Sequence, residues 1–350
     1  MKNILKKSIS IFLILTVLIV SCSCSDGKHQ DNRTKFSCNI WDYFDTMITV
    51  IAYCDNEEEF SKLEIKTRDL FKHYNELYDI YNSYEGVNNI KTINDNAGTY
   101  PVSVDAEIIE LLKFGMDLYE KTDGNVNIAF GSVLKIWHNA RDAAETDPAN
   151  AYVPDIEDLK EAAKHCNIAD IIIDEAADTV LLSDSLMSLD VGAIAKGFAT
   201  EKIAKALQDD GYDCFLISAG SSSIKAVGNK PDGSSWTTAV DTDPDYDLLN
   251  ISGHSITTSG IYQRYYEIDG RKYHHIINKD TLMPEINYMS VTLITDDCGQ
   301  GDGLATAVFN MDLETGMKFV ESQENMYGMW VDLEGNKIYS NGYKDFIKAK

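Results

Sequence analysis

The sequence is poor in basic side chains, and this shortage excludes several classes of protein. Only 31 Lys and Arg residues stand against 56 Asp and Glu residues, so the formal net charge is −25 at pH 7. A chain this acidic does not suit nucleic-acid binding or attachment to anionic lipid through a basic patch. We therefore expect neither kind of partner.

Paired cysteines and several common catalytic motifs are also missing. Apart from Cys22 and Cys24, the cysteines are far apart and form no C-x-x-C pair: Cys38, Cys54, Cys166, Cys214 and Cys298. This spacing favours isolated thiols over a disulfide framework, and one isolated disulfide is the alternative. The sequence has no His/Cys cluster with zinc-ligand spacing, no G-x-S-x-G motif and no P-loop motif.

The N-terminal segment has the features of a signal peptide. Three lysines precede an apolar run, Ile9 to Val20, that is too short to span a membrane comfortably. The run ends at Ser21-Cys22 in a pattern that resembles a bacterial lipobox. We predict a signal peptide over residues 1–21, then cleavage and diacylation of Cys22, which would anchor the protein at the extracytoplasmic face of the cell membrane. An ordinary signal peptide with cleavage nearby is the alternative.

The rest of the chain predicts a polar tether over residues 22–40 and one catalytic domain over residues 41–345. Amphipathic helices are expected over residues 57–81 and from a cap at Ser103 or Asp105, and again over residues 302–321. Short strands separated by turns dominate the middle of the sequence, and residues 140–154 are interpreted as a polar connector. The pattern favours an α+β fold in which a mixed or antiparallel sheet is flanked by helices.

The segment from Leu189 to Gly197 is the most informative motif. It places Asp190 and Lys196 in a loop of small residues that leads into an amphipathic helix. Small residues let a ligand approach the backbone, and the start of a helix favours phosphate. The loop therefore indicates a phosphate or nucleotide site, while a simple strand-to-helix turn with solvated charges is the alternative.

Two further patterns carry possible chemistry. Asp302 and Thr306 are four residues apart on a predicted helix, so both oxygens share one face and suit Mg²⁺, although Asp302 near a helix start also suits a cap. His274 and His275 are adjacent in a predicted strand, residues 273–277, and would point to opposite faces. At most one of them would then line a pocket as a base. Two ordinary polar strand residues remain the alternative.

Taken together, these segments resemble the ApbE family of FAD:protein FMN transferases. Leu189 to Gly197 is similar to the family's Asp-x-Gly-x-Ile-Ala-Lys-Gly signature, and residues 122–127 are similar to its Ser-Asp-Gly-Ala-Phe-Asp/Asn segment. The stretches 47–49, 84–94, 258–260 and 275–284 and the pair Asp302 and Thr306 follow in the family's order. The resemblance runs from about residue 42 to residue 335.

The resemblance implies a set of site residues. The Mg²⁺ ligands would be the carbonyl of Ala193 and the side chains of Asp302 and Thr306, and His275 would match a proposed general base. The FAD contacts would be Met47, Tyr84, Asn125, Val126, Asn127, Asp190, Lys196 and Ile276.

The resemblance also implies an activity. Such an enzyme binds FAD and Mg²⁺, joins FMN through a phosphoester to a Thr or Ser of an acceptor flavoprotein, and releases AMP. Acceptors would belong to extracytoplasmic electron-transfer complexes. The alternatives are an FAD pyrophosphatase, in which water replaces the acceptor, and a flavin-binding lipoprotein without turnover.

Overall fold

The computed structural model describes residues 31–241, 246–262 and 264–349. The described residues from Asn32 onwards form one compact unit. The predicted signal peptide and Cys22 lie outside the described residues. Within the described part of the chain, none of the helices is both long and apolar enough to cross a membrane.

The helices begin where the sequence supplies caps. Asn56 caps the first helix by accepting from the N–H of Glu59, and Asp105 caps the third by accepting from Glu107, which confirms one of the two predicted caps. Eight α-helices lie in the described ranges: α1 (Glu57–Tyr78), α2 (Ile90–Asp95), α3 (Ala106–Lys121), α4 (Gly131–Thr146), α5 (Ile156–Ala163), α6 (Ala195–Asp209), α7 (Cys298–Phe309) and α8 (Leu313–Glu321).

An antiparallel sheet of eight strands forms the centre of the fold, in the order β1-β2-β6-β7-β10-β13-β14-β15. The remaining strands form three small sheets, β3-β5-β4, β8-β9 and β11-β12. The strand bounds are β1 (Thr34–Tyr43), β2 (Thr46–Cys54), β3 (Val102–Ser103), β4 (Ile171–Asp174), β5 (Thr179–Leu182), β6 (Phe215–Ala219), β7 (Ser223–Val227), β8 (Trp236–Asp241), β9 (Tyr246–Ile251), β10 (Ser255–Gly260), β11 (Tyr265–Ile268), β12 (Arg271–His274), β13 (Ser290–Thr295), β14 (Tyr327–Val331) and β15 (Lys337–Tyr339).

Both faces of the large sheet are covered. One face packs against α1, α6 and α7 in the main core, where α3 contacts α7, and the other packs against β8 and β9 in a second core. All six residues of β13 are therefore buried. The sheet flanked by helices confirms the predicted α+β class.

The predicted tether is wrong at its C-terminal end. Residues 34–40 form most of β1, which pairs with β2 from Thr34 opposite Cys54 onwards. Phe36, Cys38 and Ile40 are the more buried side chains, and the residues between them are exposed. This alternation is typical of a strand with one covered face. Because the exposed residues between them are polar, the sequence alone did not indicate strand β1.

Two helix predictions also need correction. The expected connector over residues 140–154 instead continues α4 to Thr146, and Ala140 and Ala144 are buried on one face of that helix. Alanine has the highest helix propensity, so this segment forms a helix although polar residues stand between its alanines. The expected helix over residues 302–321 is two helices, α7 and α8, and α7 begins four residues earlier, at Cys298.

Candidate active site

The site is built where the start of α6 meets α7 at Gly197. The N–H of Gly197 donates to Asp302 Oδ2 over 2.8 Å. A Cβ on Gly197 would lie 2.4 Å from both Asp302 Cβ and the carbonyl oxygen of Cys298, so only glycine lets the two helices approach this closely. The loop of small residues thus brings the positive end of α6 against a carboxylate.

Asp302 is held on both of its oxygens. Ser223 donates its hydroxyl to Oδ1 over 3.0 Å, and Lys196 Nζ lies 3.5 Å from Oδ2 while it also donates to Ser223. The Asp302 residue is 9% exposed. The cap of α7 is Asp297, which accepts from the N–H of Gln300, so the alternative interpretation of Asp302 as a helix cap is wrong.

The neighbouring oxygens fit a hard cation such as Mg²⁺. Gly197 lies in the first turn of α6, where an N–H has no acceptor within the helix, and it donates to Asp302 instead; the carbonyl of Ala193 belongs to the loop just before this turn. Thr306 lies one turn after Asp302, with its hydroxyl 3.2 Å from that of Ser259. No group of three or more His, Cys, Asp or Glu with metal-binding geometry occurs among the described residues. One carboxylate with neutral oxygens suits Mg²⁺ better than Zn²⁺.

An ion pair between the buried Lys225 and the half-buried Glu201 supports this arrangement. Glu201 on α6 accepts from the N–H of Cys298 at the start of α7 over 2.8 Å. Lys225 on β7 lies 3.0 Å from Glu201 and donates to the carbonyl of Asp296. These contacts join α6, α7 and the sheet, so the positions of Lys196 and Asp302 depend on them.

The loop that carries Asp190 is fixed by hydrogen bonds from side chains to its backbone. Asn94 donates to the carbonyl of Leu189 over 3.0 Å and accepts from its N–H over 2.7 Å. Asp190 Oδ1 accepts from the N–H of Gly192 over 2.9 Å, which folds the chain towards α6. Asp190 is therefore a held carboxylate, and the alternative of a solvated turn is wrong for it.

The two histidines have different environments. Strand β12 ends at His274, so the predicted strand over residues 273–277 is too long. His274 accepts at Nδ1 from the N–H of Ile276 and donates at Nε2 to the carbonyl of Glu285, so both its nitrogens are used. Burial lowers the pKa of His274 to about 4 and that of His275 to about 3. His275 Nδ1 is buried without a hydrogen-bond partner among the described residues, so it is the histidine with an available nitrogen.

Met47, near the start of β2, contacts the turn that precedes Ser223. Its carbonyl accepts from the N–H of Gly220 over 3.0 Å, in the turn between β6 and β7 that leads to Ser223. The Met47 side chain is 40% exposed, as a ligand contact requires.

The other predicted FAD contacts are either buried or already hydrogen-bonded to another part of the protein. Val126 and Ile276 are buried. The side-chain amides of Asn125 and Asn127 donate to the carbonyls of Thr122 and Cys166. Tyr84 donates its hydroxyl to Asp79 over 2.7 Å, at the end of α1. Contact of these residues with FAD stays a prediction.

Sequence reasoning missed two parts of the site. Ser223 donates to Asp302. In the sequence it is marked only by the run Ser221-Ser222-Ser223 after Gly220. His138 on α4 lies 3.9 Å from Asp190 Oδ2, and no motif marks it. The long distance along the chain between these residues and the loop explains both omissions.

The sequence matches the profile of the ApbE family over residues 44–330. It is 29% identical over 278 residues to the FAD:protein FMN transferase of Klebsiella pneumoniae (strain 342), covering 78% of this chain and 83% of that protein. It is 32% identical over 251 residues to the FAD:protein FMN transferase of Treponema pallidum (strain Nichols), covering 64% of this chain and 65% of that protein.

Solved structures share the fold. The ApbE protein from Thermotoga maritima superposes with a TM-score of 0.77 at 24% identity, covering 90% of this chain and 100% of the other. The flavin transferase ApbE from Vibrio cholerae superposes with a TM-score of 0.74 at 21% identity, covering 89% of this chain and 100% of the other. The match covers most of the sequence, and it includes the loop and both helices that form the site; the chain belongs to the ApbE family.

Proposed function

We propose that the chain is an FAD:protein FMN transferase that uses Mg²⁺. The observation that carries the proposal is the convergence of Lys196, the N-terminus of α6 and the Asp302 carboxylate at one point. The names of the related proteins support the same activity. Mg²⁺ would be held by the Ala193 carbonyl, Asp302 and Thr306, where it would neutralise charge on the diphosphate of FAD.

The reaction joins FMN to the acceptor and cleaves the diphosphate of FAD in the same step. A Thr or Ser hydroxyl of the acceptor forms a bond to the FMN-side phosphorus, and the bond to the bridging oxygen breaks. AMP leaves with that oxygen. The hydroxyl proton passes to His275, and Lys196 stabilises charge on the leaving phosphate. Phosphoryl transfer depends mainly on positioning and charge neutralisation, which these residues provide.

Lys196→Ala should lower kcat about 10²–10³-fold, because it removes one preorganised cation from the leaving phosphate. Lys196→Arg keeps the charge but changes its geometry, and we expect it to recover part of the loss. Steady-state release of AMP at saturating FAD and Mg²⁺ measures both. An unchanged kcat in Lys196→Ala would remove Lys196 from the proposed mechanism.

His275→Ala should lower kcat about 10²–10⁴-fold, as expected for loss of a general base. Because burial lowers the pKa of His275 to about 3, the imidazole is already neutral at higher pH and can accept a proton. The pH profile of kcat/KM should therefore show no acid limb from His275 between about pH 5 and 8. A limb near pH 6.5 that disappears in His275→Ala would contradict this assignment.

Separating the products tests transfer against hydrolysis. The protein is incubated with FAD and Mg²⁺, with and without a candidate acceptor domain, and free FMN, bound flavin and AMP are measured by chromatography. We expect AMP to increase with acceptor and bound flavin to equal it. Equal amounts of free FMN and AMP, with or without acceptor, would instead establish an FAD pyrophosphatase. Intact FAD throughout would establish flavin binding without turnover.

The place of action is part of the proposal. The lipobox-like pattern before Cys22 supports a lipid anchor at the extracytoplasmic face of the cell membrane. Acceptors would then be flavoproteins of electron-transfer complexes on that side. Metabolic labelling with a fatty acid, compared between the natural chain and Cys22→Ser, tests the anchor directly.

A further inference from the structure

A cluster beside the signature loop contains groups to which the mechanism above gives no role. Tyr81 follows α1, His138 lies on α4, and Asp190 belongs to the loop, so three distant parts of the chain meet. The Tyr81 hydroxyl is 3.0 Å from His138 Nδ1, and His138 Nε2 is 3.9 Å from Asp190 Oδ2. The cluster is open to solvent on one side, since Tyr81 is 56% exposed.

The hydrogen bond from Tyr81 selects one form of the imidazole. Burial and the charge of Asp190 raise the pKa of Tyr81 to about 12, so its hydroxyl keeps the proton and can donate. Burial lowers the pKa of His138 although Asp190 acts in the opposite direction, so the ring is neutral near pH 7. With Tyr81 donating to Nδ1, the ring proton lies on Nε2, which faces Asp190.

The gap between His138 and Asp190 is too long for a hydrogen bond. At 3.9 Å the two atoms face each other without bonding. Asp190 Oδ1 is already used by the N–H of Gly192, which leaves Oδ2 on the side of His138. The pair therefore presents one acceptor and one donor next to each other, a pattern that matches the edge of a nitrogen heterocycle with adjacent N–H and acceptor atoms.

Two arginines act electrostatically on both His138 and the proposed base, His275. Burial and, after it, the positive charges of Arg264 and Arg141 lower the pKa of His275. Arg141 is one helical turn after His138 on α4. A ring held between His138 and Asp190 would lie against the loop that leads to Lys196.

We propose that His138, held by Tyr81, is a specificity-determining residue that pairs with Asp190 to bind the edge of one heterocyclic ring of FAD. The inference rests on the proposed function. Both the adenine and the isoalloxazine ring have adjacent donor and acceptor atoms, so either end of FAD has the required chemistry. Half-ligands distinguish the two ends.

The experiment measures the Kd of FMN and of ADP by calorimetry for the natural chain and four variants. His138→Ala should weaken one half-ligand about tenfold or more, because the partner atoms lose a hydrogen bond, and leave the other unchanged. His138→Gln, whose amide can replace Nε2–H, should recover most of the affinity. Tyr81→Phe should have an intermediate effect. Asn139→Ala, an exposed neighbour on the same helix, is the matched control and should bind as the natural chain does.

Transfer kinetics add a readout that a purely structural role would not produce. His138→Ala should raise KM for FAD about tenfold while kcat at saturating FAD changes much less. The inference is overturned if His138→Ala binds both half-ligands normally, or if both weaken together with a lower Tm and no rescue by His138→Gln. If the natural chain binds neither half-ligand nor FAD, the proposed function fails as well. If the natural chain transfers FMN normally, the proposed function stands, and either of the first two results overturns only the inference about His138.

Discussion

Asp302→Ala should reduce FMN transfer at least about 10³-fold. The carboxylate accepts from Ser223 and from the Gly197 N–H and faces Lys196, so its loss removes a charge on which three groups converge. It also removes the only carboxylate among the three proposed Mg²⁺ ligands. We expect this effect to exceed that of His275→Ala, which removes a proton acceptor and leaves the charges in place.

Two variants separate this effect from instability. Asp302→Asn keeps the shape of the side chain and its acceptor oxygen, and it should be nearly as inactive because the charge is lost. Asp297→Ala removes only the cap of α7, which should lower the free energy of unfolding by about 1 kcal/mol with little change in kcat. AMP release over a range of Mg²⁺ concentrations measures all three. Substantial Mg²⁺-dependent activity in Asp302→Ala would contradict the proposed site.

Gly197→Ala should abolish activity and strongly destabilise the domain, although alanine is the better helix former. In a free helix the change would add roughly 1 kcal/mol of stability. Here the new methyl group would lie 2.4 Å from Asp302 Cβ and from the Cys298 carbonyl, and both belong to the packed helix α7. Overpacking of this kind costs typically about 1–3 kcal/mol, and any relief moves Asp302 away from Lys196.

Gly316→Ala is the matched control for this substitution. Gly316 is also buried within a helix, α8, but its nearest neighbours would lie 3.4 Å or more from an added Cβ. Its Tm should stay the same or rise slightly, and its activity should not change. Thermal unfolding followed by circular dichroism, together with AMP release, measures both variants. A fully active and stable Gly197→Ala protein would show that close contact of α6 and α7 is not required.

The local parts of the fold could be predicted because neighbouring residues determine them. Caps such as Asp105 and amphipathic stretches such as α1 act over a few residues. The pairing of Asp302 with Thr306 followed from helical spacing alone. Strand β1 was missed because its burial depends on β2 and on Phe60, which stacks on Phe36.

The contacts that assemble the site could not be predicted from spacing. Ser223 reaches Asp302 only because β7 and α7 are adjacent in the fold, and Asn94 reaches Leu189 across 95 residues of sequence. The sequence pattern places His275 inside a strand, whereas the chain leaves β12 just before it, and its Nδ1 has no hydrogen-bond partner among the described residues. Such contacts depend on the tertiary packing of the whole domain, which no short window of sequence contains.

The most direct test is the mass of an acceptor flavoprotein domain after incubation with this chain, FAD and Mg²⁺. We predict that the acceptor gains the mass of one FMN joined through a phosphoester, that peptide analysis places it on a Thr or Ser, and that Asp302→Ala gives no product. An acceptor of unchanged mass, in a mixture where FAD has been split and the acceptor is one that a related transferase does modify, would contradict the account.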